Sequence, residues 1–298
     1  MSADGYDVGS IMLDQHDTIW MGWGKAIRTY DPATGILSTW NLPPYSGLAV
    51  LYSMDGRIMS LTVDQTGEVW VVASMVTGVF GFNPVTRTWD RTINLRFVPV
   101  QGSMLAAPAT GILTLNGSAL NDQPVPVFAV ITVGAKAVRM LPAEVYTYAV
   151  AGPNQVLYFD KASNLGLLDL AQGTATVLMP NAPVYRNTDQ SFQMDARGRL
   201  WFPMFKYRWL GVGVFDPATR AITGFVFPYI TNPGSPVPND CPTGAFHCVP
   251  SGTIADPGID GIAVDTNAHV WVITESPARA DPNQTPLITA VMELQTGQ

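Results

Sequence analysis

The chain has 298 residues, 47% of them hydrophobic, and its 16 Lys and Arg against 23 Asp and Glu give a formal net charge of −7. The basic residues form no cluster, which argues against a nucleic-acid partner, because phosphate backbones are bound by grouped Lys and Arg. No apolar run reaches the roughly 18 residues that a membrane-spanning helix needs, and the first residues lack the basic and apolar regions of a signal peptide.

The elements follow one another as copies of a single unit. With 27 Gly, 24 Pro and only 13% charged residues, the composition favours short strands joined by tight turns. Each clear copy has a first strand that ends in Asp, a polar turn, and a second strand that carries Trp. The Asp positions are Asp14, Asp64, Asp195 and Asp265, and the Trp positions are Trp20, Trp70, Trp201 and Trp271. These two strands predict a hairpin in every copy.

A third and a fourth strand complete the unit. They are separated by turns that begin at Asp31, Asn83 and Asp216, each followed by Pro, which favours a reversal of the chain. Two weaker copies surround Leu113 and Tyr158, so equivalent positions are 20, 70, 113, 158, 201 and 271, at steps of 50, 43, 45, 43 and 70 residues. Four strands at a period near 45 residues predict an all-β fold, a β-propeller, rather than a solenoid.

We therefore expect one domain over residues 1–298, a six-bladed β-propeller of four-stranded antiparallel blades. The long last step contains an insertion at about 229–257. The final copy has no fourth strand before the sequence stops, so the last blade is expected to be incomplete or to be closed by residues 1–9. The repeated Asp is expected to accept hydrogen bonds from its turn, and the repeated Trp to pack between blades.

The insertion contains both cysteines, Cys241 and Cys248. Two cysteines in one short Pro-rich loop predict a disulfide, and a disulfide implies an oxidising compartment: extracellular, periplasmic or cell surface. A metal site that includes His247 is the alternative interpretation of the same residues.

The segment GIAVDTNAHVWVITES, from Gly261 to Ser276, resembles the repeat of streptogramin B (virginiamycin B) lyase propellers, and it is also similar to NHL, gluconolactonase and two-component-sensor propellers. The lyase resemblance implies a catalytic His just before a first strand, a Glu after the Trp strand, and Mg²⁺ near the channel. Here Asp260 stands at the position of that histidine, whereas Glu275 matches the glutamate.

In a propeller, the loops that lead into the first strands surround one mouth of the channel. The candidate ligand-binding residues at this mouth are Arg57, Tyr146, Tyr148, Arg186, Asn187, Asp189, Asp256, Asp260 and Glu275. Of these, Asp189, Asp260 and Glu275 could hold Ca²⁺ or Mg²⁺ through oxygen ligands, or could be solvated rim residues. Tyr207 and Trp209 break the repeat pattern and form a second candidate surface.

These patterns favour binding over catalysis, because no nucleophile and base pair can be assembled from the three histidines. The expected function is recognition of a protein or glycan ligand by an exported or surface propeller, at the mouth that carries the insertion. The alternatives are a metal-assisted lyase or lactonase that uses Asp189, Asp260 and Glu275, and a structural repeat module within a larger polypeptide.

Overall fold

A computed structural model describes most of the chain. The described residues are 8–14, 16–44, 56–99, 103–119, 126–184, 192–206, 209–230, 246–248, 254–255, 258–264, 269–277 and 287–294. The regular elements in these ranges are β-strands, which confirms the all-β class. A search of the same ranges finds no helix with the length and apolar character to cross a membrane.

The first two sheets each contain four antiparallel strands in sequence order. Sheet 1 consists of β1 (Val8–Leu13), β2 (Ile19–Trp23), β3 (Ala26–Asp31) and β4 (Ile36–Asn41). Sheet 2 consists of β5 (Ile58–Val63), β6 (Val69–Ala73), β7 (Gly78–Asn83) and β8 (Thr88–Asn94). In both sheets a register shift interrupts the pairing of the first two strands, which places a β-bulge near Gly9 and near Met59.

Sheets 3 and 4 repeat the arrangement. Sheet 3 consists of β10 (Leu105–Ala109), β11 (Ile112–Ala119), β12 (Pro126–Thr132) and β13 (Ala137–Leu141), and the short β9 (Phe97–Val98) also pairs with β11. Sheet 4 consists of β14 (Thr147–Gly152), β15 (Gln155–Phe159), β16 (Leu165–Asp169) and β17 (Thr174–Met179). Both weak copies of the repeat are therefore genuine sheets.

Sheets 5 and 6 depart from the four-stranded pattern. Sheet 5 consists of β18 (Gln193–Met194), β19 (Leu200–Lys206), β20 (Trp209–Asp216), β21 (Ala221–Ile230), β22 (Phe246–Cys248) and β23 (Ile254–Ala255). The last two pair in parallel with β21, so the insertion contributes strands and is not only a loop, as the sequence had suggested. Sheet 6 consists of β24 (Gly258–Val264), β25 (Val270–Pro277) and β26 (Leu287–Leu294).

The strand count agrees with the prediction in part. Over the described ranges, five sheets have four or more strands and sheet 6 has three, so six four-stranded blades are not observed. Val8 and Gly9 belong to β1, where Val8 pairs with Trp23, and so they do not complete the last sheet. Residues 1–7 lie outside the described residues.

The chain divides into two compact units, 1–161 with 168–175 and 162–167 with 176–298. The single domain expected from the sequence therefore stays a prediction.

The first strands of the first unit lie side by side. Leu61 N donates a hydrogen bond to Ser10 Oγ (3.3 Å), and Val63 N donates to Met12 Sδ (3.1 Å). Two further bonds join the next pair of strands: Leu105 N donates to Ser60 Oγ (3.0 Å), and Thr110 Oγ1 donates to Gln65 Oε1 (2.6 Å). Because the bonded positions advance in the same direction along both partners, β1, β5 and β10 run parallel and begin at the same end.

Three of the four repeated tryptophans pack between consecutive sheets, as predicted, whereas Trp271 of sheet 6 is 36% exposed. Trp20 lies in a core with Leu61 and Val71 of sheet 2. Trp70 packs against Leu113 and Ile131 of sheet 3. In the second unit, Trp201 packs with residues of sheet 6, Ile262 and Val272 among them. Burial of such apolar surface supplies most of the stabilisation of a stack of small sheets.

Among the described residues, one apolar face of sheet 1 has high solvent exposure. Its apolar side chains occupy the positions that in sheet 2 are buried against sheet 1. Ile11 is 64% exposed and Tyr30 is 38% exposed, whereas their equivalents Leu61 and Phe82 are 2% and 0% exposed. Leu13 and Leu37 extend the same face.

Candidate functional site

In sheets 1, 2 and 5, the hairpin between the first and the second strand is closed by an Asp that binds a Trp. The Oδ2 atoms of Asp14, Asp64 and Asp195 accept hydrogen bonds from Nε1 of Trp20, Trp70 and Trp201, at 2.8, 3.0 and 2.9 Å. The Oδ1 atom of each Asp accepts backbone N–H groups two and four residues further on. The structural role predicted for these three aspartates is confirmed. Asp265 lies outside the described residues.

The hydrogen bonds also determine the electrostatics of these turns. Burial by itself would raise the pKa of Asp14, but the hydrogen bonds from Trp20 and from the backbone of His16 and Thr18 outweigh it and lower that pKa. The pKa of Asp195 is lowered in the same way by Trp201 and by Arg199, whose Nε lies 2.7 Å from Asp195 Oδ2. These carboxylates are committed to the fold and are not free for a ligand.

The first strands of sheets 2, 3 and 4 begin close together, and we call residues 56–58, 103–105 and 146–148 the leading edge. Arg57 is exposed there, and its carbonyl accepts a hydrogen bond from Ser74 N (2.8 Å). Tyr146 is 53% exposed, and its backbone N–H donates to the carbonyl of Phe159 (2.8 Å). Two side chains able to contact a ligand are thus held on hydrogen-bonded backbone.

Asn116 joins two parts of the leading edge. Its Nδ2 donates to the carbonyl of Tyr146 (2.8 Å), and its Oδ1 accepts the backbone N–H of Met104 (2.5 Å). Asn116 is itself buried, so neither bond competes with bulk water. The start of β10 and the start of β14 are therefore fastened to one side chain. Sequence reasoning missed this residue, because nothing in a single Asn marks it as a bridge.

Tyr148 is not part of the exposed surface, contrary to its sequence-based placement at the mouth. Its side chain is fully buried, and its hydroxyl lies 3.0 Å from the carbonyl of Met104 and 2.8 Å from that of Thr114. Thr114 Oγ1 donates to the same hydroxyl (3.1 Å), and burial raises the pKa of Tyr148. Tyr148 therefore supports the leading edge from inside the core.

Asp260 and Glu275 lie on neighbouring strands of sheet 6. Glu275 pairs with Gly258, and the register shifts between Ile259 and Gly261, so Asp260 is the bulged residue. This bulge is equivalent in the repeat to those near Gly9 and Met59, and β-bulges re-aim side chains at sheet ends and next to active sites. The acidic residue thus occupies a recurring irregularity of the fold.

The remaining sequence candidates are only partly described. Trp209 lies in β20, where it pairs with Lys206 and Pro228, and Cys248 lies in β22. Outside the described residues lie Arg186, Asn187, Asp189, Tyr207, Cys241 and Asp256. A search of the described part of the chain finds no group of three His, Cys, Asp or Glu side chains that could hold a metal ion. The predicted metal site and the disulfide stay predictions.

The serines that link the first strands have a signal in the sequence. Ser10 and Ser60 each stand four residues before the repeated Asp, and Ser191 keeps the same spacing to Asp195. The hydroxyls of Ser10 and Ser60 accept backbone N–H groups from the next sheet, as described above, and Ser191 lies outside the described residues. A small polar residue at a fixed distance from a structural Asp could have been recognised as a link between sheets.

Comparison with known proteins first addresses the sequence. No protein-family model matches it. No curated protein matches it either.

Solved structures do match. Virginiamycin B lyase from Staphylococcus aureus has 13% identity and a TM-score of 0.60, over 97% of this chain and 84% of that one. A catalytically inactive form of that lyase with quinupristin gives 13% identity and a TM-score of 0.63, over 100% and 87%. The extracellular domain of a putative one component system from B. thetaiotaomicron gives 16% identity and a TM-score of 0.55, over 97% of this chain and 33% of that one.

These likenesses, together with the antiparallel sheets in sequence order, show that the chain has a β-propeller fold. The fold is of the streptogramin lyase-like type, and the resemblance read from the sequence is confirmed at this level. Because one fold supports many functions, neither catalysis nor sensing follows from the match.

Proposed function

We propose that the chain is a ligand-binding β-propeller that recognises a protein or glycan at its leading edge. The observation that carries this proposal is the bridge made by Asn116, which holds the starts of β10 and β14 together beneath the exposed Tyr146. A surface that is ordered before the ligand arrives loses little conformational entropy on binding. Residues presented by loops on a rigid scaffold are a common site of recognition.

The exposed groups define the chemistry of the ligand. A tyrosine ring provides an apolar face for a sugar ring or a side chain, with a hydroxyl at its end. The Arg57 guanidinium provides donors for carboxylate or hydroxyl oxygens. The proposal extends to the other sequence candidates, which are Arg186, Asn187, Asp189, Tyr207, Trp209, Asp260 and Glu275.

The cellular setting is proposed as well. The likeness to the extracellular domains of putative sensor proteins, of which this chain spans about a third, supports an exported or surface location and a larger parent polypeptide. A disulfide between Cys241 and Cys248 would suit that location. We also propose that the strands form six blades, the sixth built from the three strands of sheet 6.

A metal-assisted lyase or lactonase is the second candidate. It is favoured by the bulge at Asp260, by Glu275 on the adjacent strand, and by the likeness to virginiamycin B lyase. In this alternative Asp189, Asp260 and Glu275 supply oxygen ligands to Ca²⁺ or Mg²⁺, hard cations that prefer such donors. The metal would polarise the group under attack.

The first set of experiments tests ligand binding at the leading edge. The purified chain is tested against glycan and peptide arrays, and the best ligand is then titrated against Tyr146→Ala and, as a matched control, Tyr30→Ala, which changes an exposed tyrosine of sheet 1. Binding at the leading edge predicts that only the first variant loses affinity, by about tenfold or more. An equal affinity of both variants would contradict this site.

The enzymatic alternative is tested separately. Quinupristin and simple lactones are incubated with the chain and Mg²⁺ or Ca²⁺, and with its Glu275→Gln variant. Turnover by the wild type that disappears in the variant would establish the lyase or lactonase and displace binding as the main function.

A further inference from the structure

Glu68 is a buried carboxylate that the proposed ligand site does not use. It is 8% exposed and lies at the start of the second hairpin strand, two residues before Trp70. Its Oε2 lies 3.1 Å from Arg91 Nη1, and among the described residues its buried Oε1 has no hydrogen-bond partner. An unpaired buried carboxylate oxygen is costly when the group is ionised.

The surroundings of Glu68 leave it little room. A Cβ placed on Gly81 would lie 2.8 Å from Glu68 Oε1 and 2.9 Å from the Trp70 ring, so only glycine fits between them. Sheet 3 packs against this face with apolar side chains, among them Leu113 and Val133. The carboxyl group therefore lies close to Trp70, which packs on an apolar part of sheet 3.

The charged groups that act on Glu68 are Arg91, Asp64 and Asp90, all in sheet 2. Burial has the largest effect and, with the two aspartates, it outweighs Arg91 and raises the pKa of Glu68 to about 7. Arg91 is half-exposed, so water screens much of its attraction. The guanidinium carbon of Arg91 also lies 6.0 Å from the centre of the Trp70 ring.

The equivalent positions of other copies carry different residues. The position four residues after the repeated Asp is Thr18 in sheet 1 and Arg199 in sheet 5. Arg199 forms an ion pair with its Asp195 at 2.7 Å. Glu68 instead places a second acid beside Asp64, whose Oδ1 accepts the Glu68 backbone N–H (3.1 Å). Two neighbouring carboxylates repel each other and lower stability, and such unfavourable pairs are expected at positions that serve a function.

We propose that Glu68 makes sheet 2 a pH-responsive element, in which the protonated side chain is held against Trp70 and the ionised side chain loosens the packing of sheet 2 on sheet 3. The Glu68 carboxyl is more easily protonated in the folded chain than in the unfolded chain. Its contribution to stability is therefore present below about pH 4.5 and is lost as the pH rises through about 7.

The test uses urea unfolding of the full chain between about pH 4.5 and about pH 8.5. The wild-type folding constant is expected to fall on the order of 100-fold more across this range than that of Glu68→Gln. Glu144→Gln, which changes an exposed glutamate, is the matched control and should follow the wild type. Arg91→Met removes the group that favours ionisation and raises the folded-state pKa of Glu68 further, so its loss of stability should extend to higher pH than in the wild type.

A direct titration keeps the proposal testable if a variant fails to fold. The side-chain carboxyl carbon of Glu68 is followed by NMR in the wild type, and a midpoint near 7 is expected. A midpoint near that of an ordinary glutamate, or a Glu68→Gln variant with the wild-type dependence on pH, would overturn the proposal.

Discussion

Trp201 Nε1 donates a hydrogen bond to Asp195 Oδ2 at 2.9 Å, across a turn whose backbone N–H groups bind the other oxygen of the same carboxylate. One side chain thus closes a hairpin and orients the largest side chain of the adjoining core. Asp14 with Trp20, and Asp64 with Trp70, repeat this relationship.

The Asp195→Ala variant should test this relationship. It removes the acceptor of four hydrogen bonds and leaves the buried Trp201 Nε1 unpaired, so we expect a loss of about 2–4 kcal/mol in the free energy of unfolding. Asp216→Ala is the matched control, because Asp216 caps an exposed turn through the N–H of Ala218 (2.8 Å), and should cost about 1 kcal/mol or less. Urea titrations measure both values, and equal losses would contradict the role assigned to Asp195.

The same carboxylates predict the response to acid. The pKa values of Asp14 and Asp195 are lower in the folded chain than the ordinary value of 3.8. Their contribution to stability is therefore present above that value and is lost as the pH falls below about 4 and through the folded pKa. We expect Asp195→Asn to weaken the acid dependence of the thermal midpoint while it lowers stability at neutral pH. Melting curves from about pH 2 to about pH 6 check this, and an unchanged acid slope would refute it.

The serine links between sheets make a separate prediction. Ser60→Ala removes the acceptor of the Leu105 N–H, and the free energy of unfolding should fall by about 1 kcal/mol. Hydrogen exchange at the Leu105 amide should become faster, since that amide loses its partner. Ser38→Ala, in the fourth strand of sheet 1, serves as the control and should leave this amide unaffected.

The bridge in the leading edge can be tested with a nearly isosteric change. In Asn116→Asp the carboxylate can still accept the Met104 N–H, but it offers no donor to the carbonyl of Tyr146. We expect weaker binding of the ligand found on the arrays, by about tenfold, together with a loss of stability, because the new carboxylate is buried against a carbonyl oxygen. If affinity is unchanged while stability falls, Asn116 serves the fold and not the site.

The repeat allowed much of the fold to be predicted from the sequence. Asp14 and Asp64 could be assigned to turns because their spacing to the following Trp never varies. That the carboxylate also binds the indole was missed, although the constant spacing of six residues was visible. The strands β22 and β23 were also missed, because segments of three and two residues show no periodicity.

The site was harder to predict than the fold. Arg57 and Tyr146 were correctly expected to precede first strands, since repeat position determines which end of a sheet a residue occupies. Tyr148 was placed with them, but the burial of a strand residue depends on which neighbouring sheet covers its face. Glu68 showed no sequence signal, because its environment is created by Gly81, Arg91 and sheet 3.

The exposed apolar face of sheet 1 allows a paired comparison. Leu61→Ala should lower the free energy of unfolding by about 2–5 kcal/mol, because it opens a cavity between sheets. Ile11→Ala, at the equivalent position, should cost about 0.5 kcal/mol or less, because its side chain already meets water. Chemical denaturation of both variants measures the difference. Similar losses would show that another surface covers Ile11 in solution.

The exposed apolar face of sheet 1 also indicates what truncation of the chain would do to the other sheets. A fragment that ends after Asn94 would lack Leu113 and Ile131, so the Trp70 side of sheet 2 would become a second exposed apolar surface. Truncated forms of the chain should therefore precipitate or recruit chaperones unless a polar cap replaces the lost neighbour.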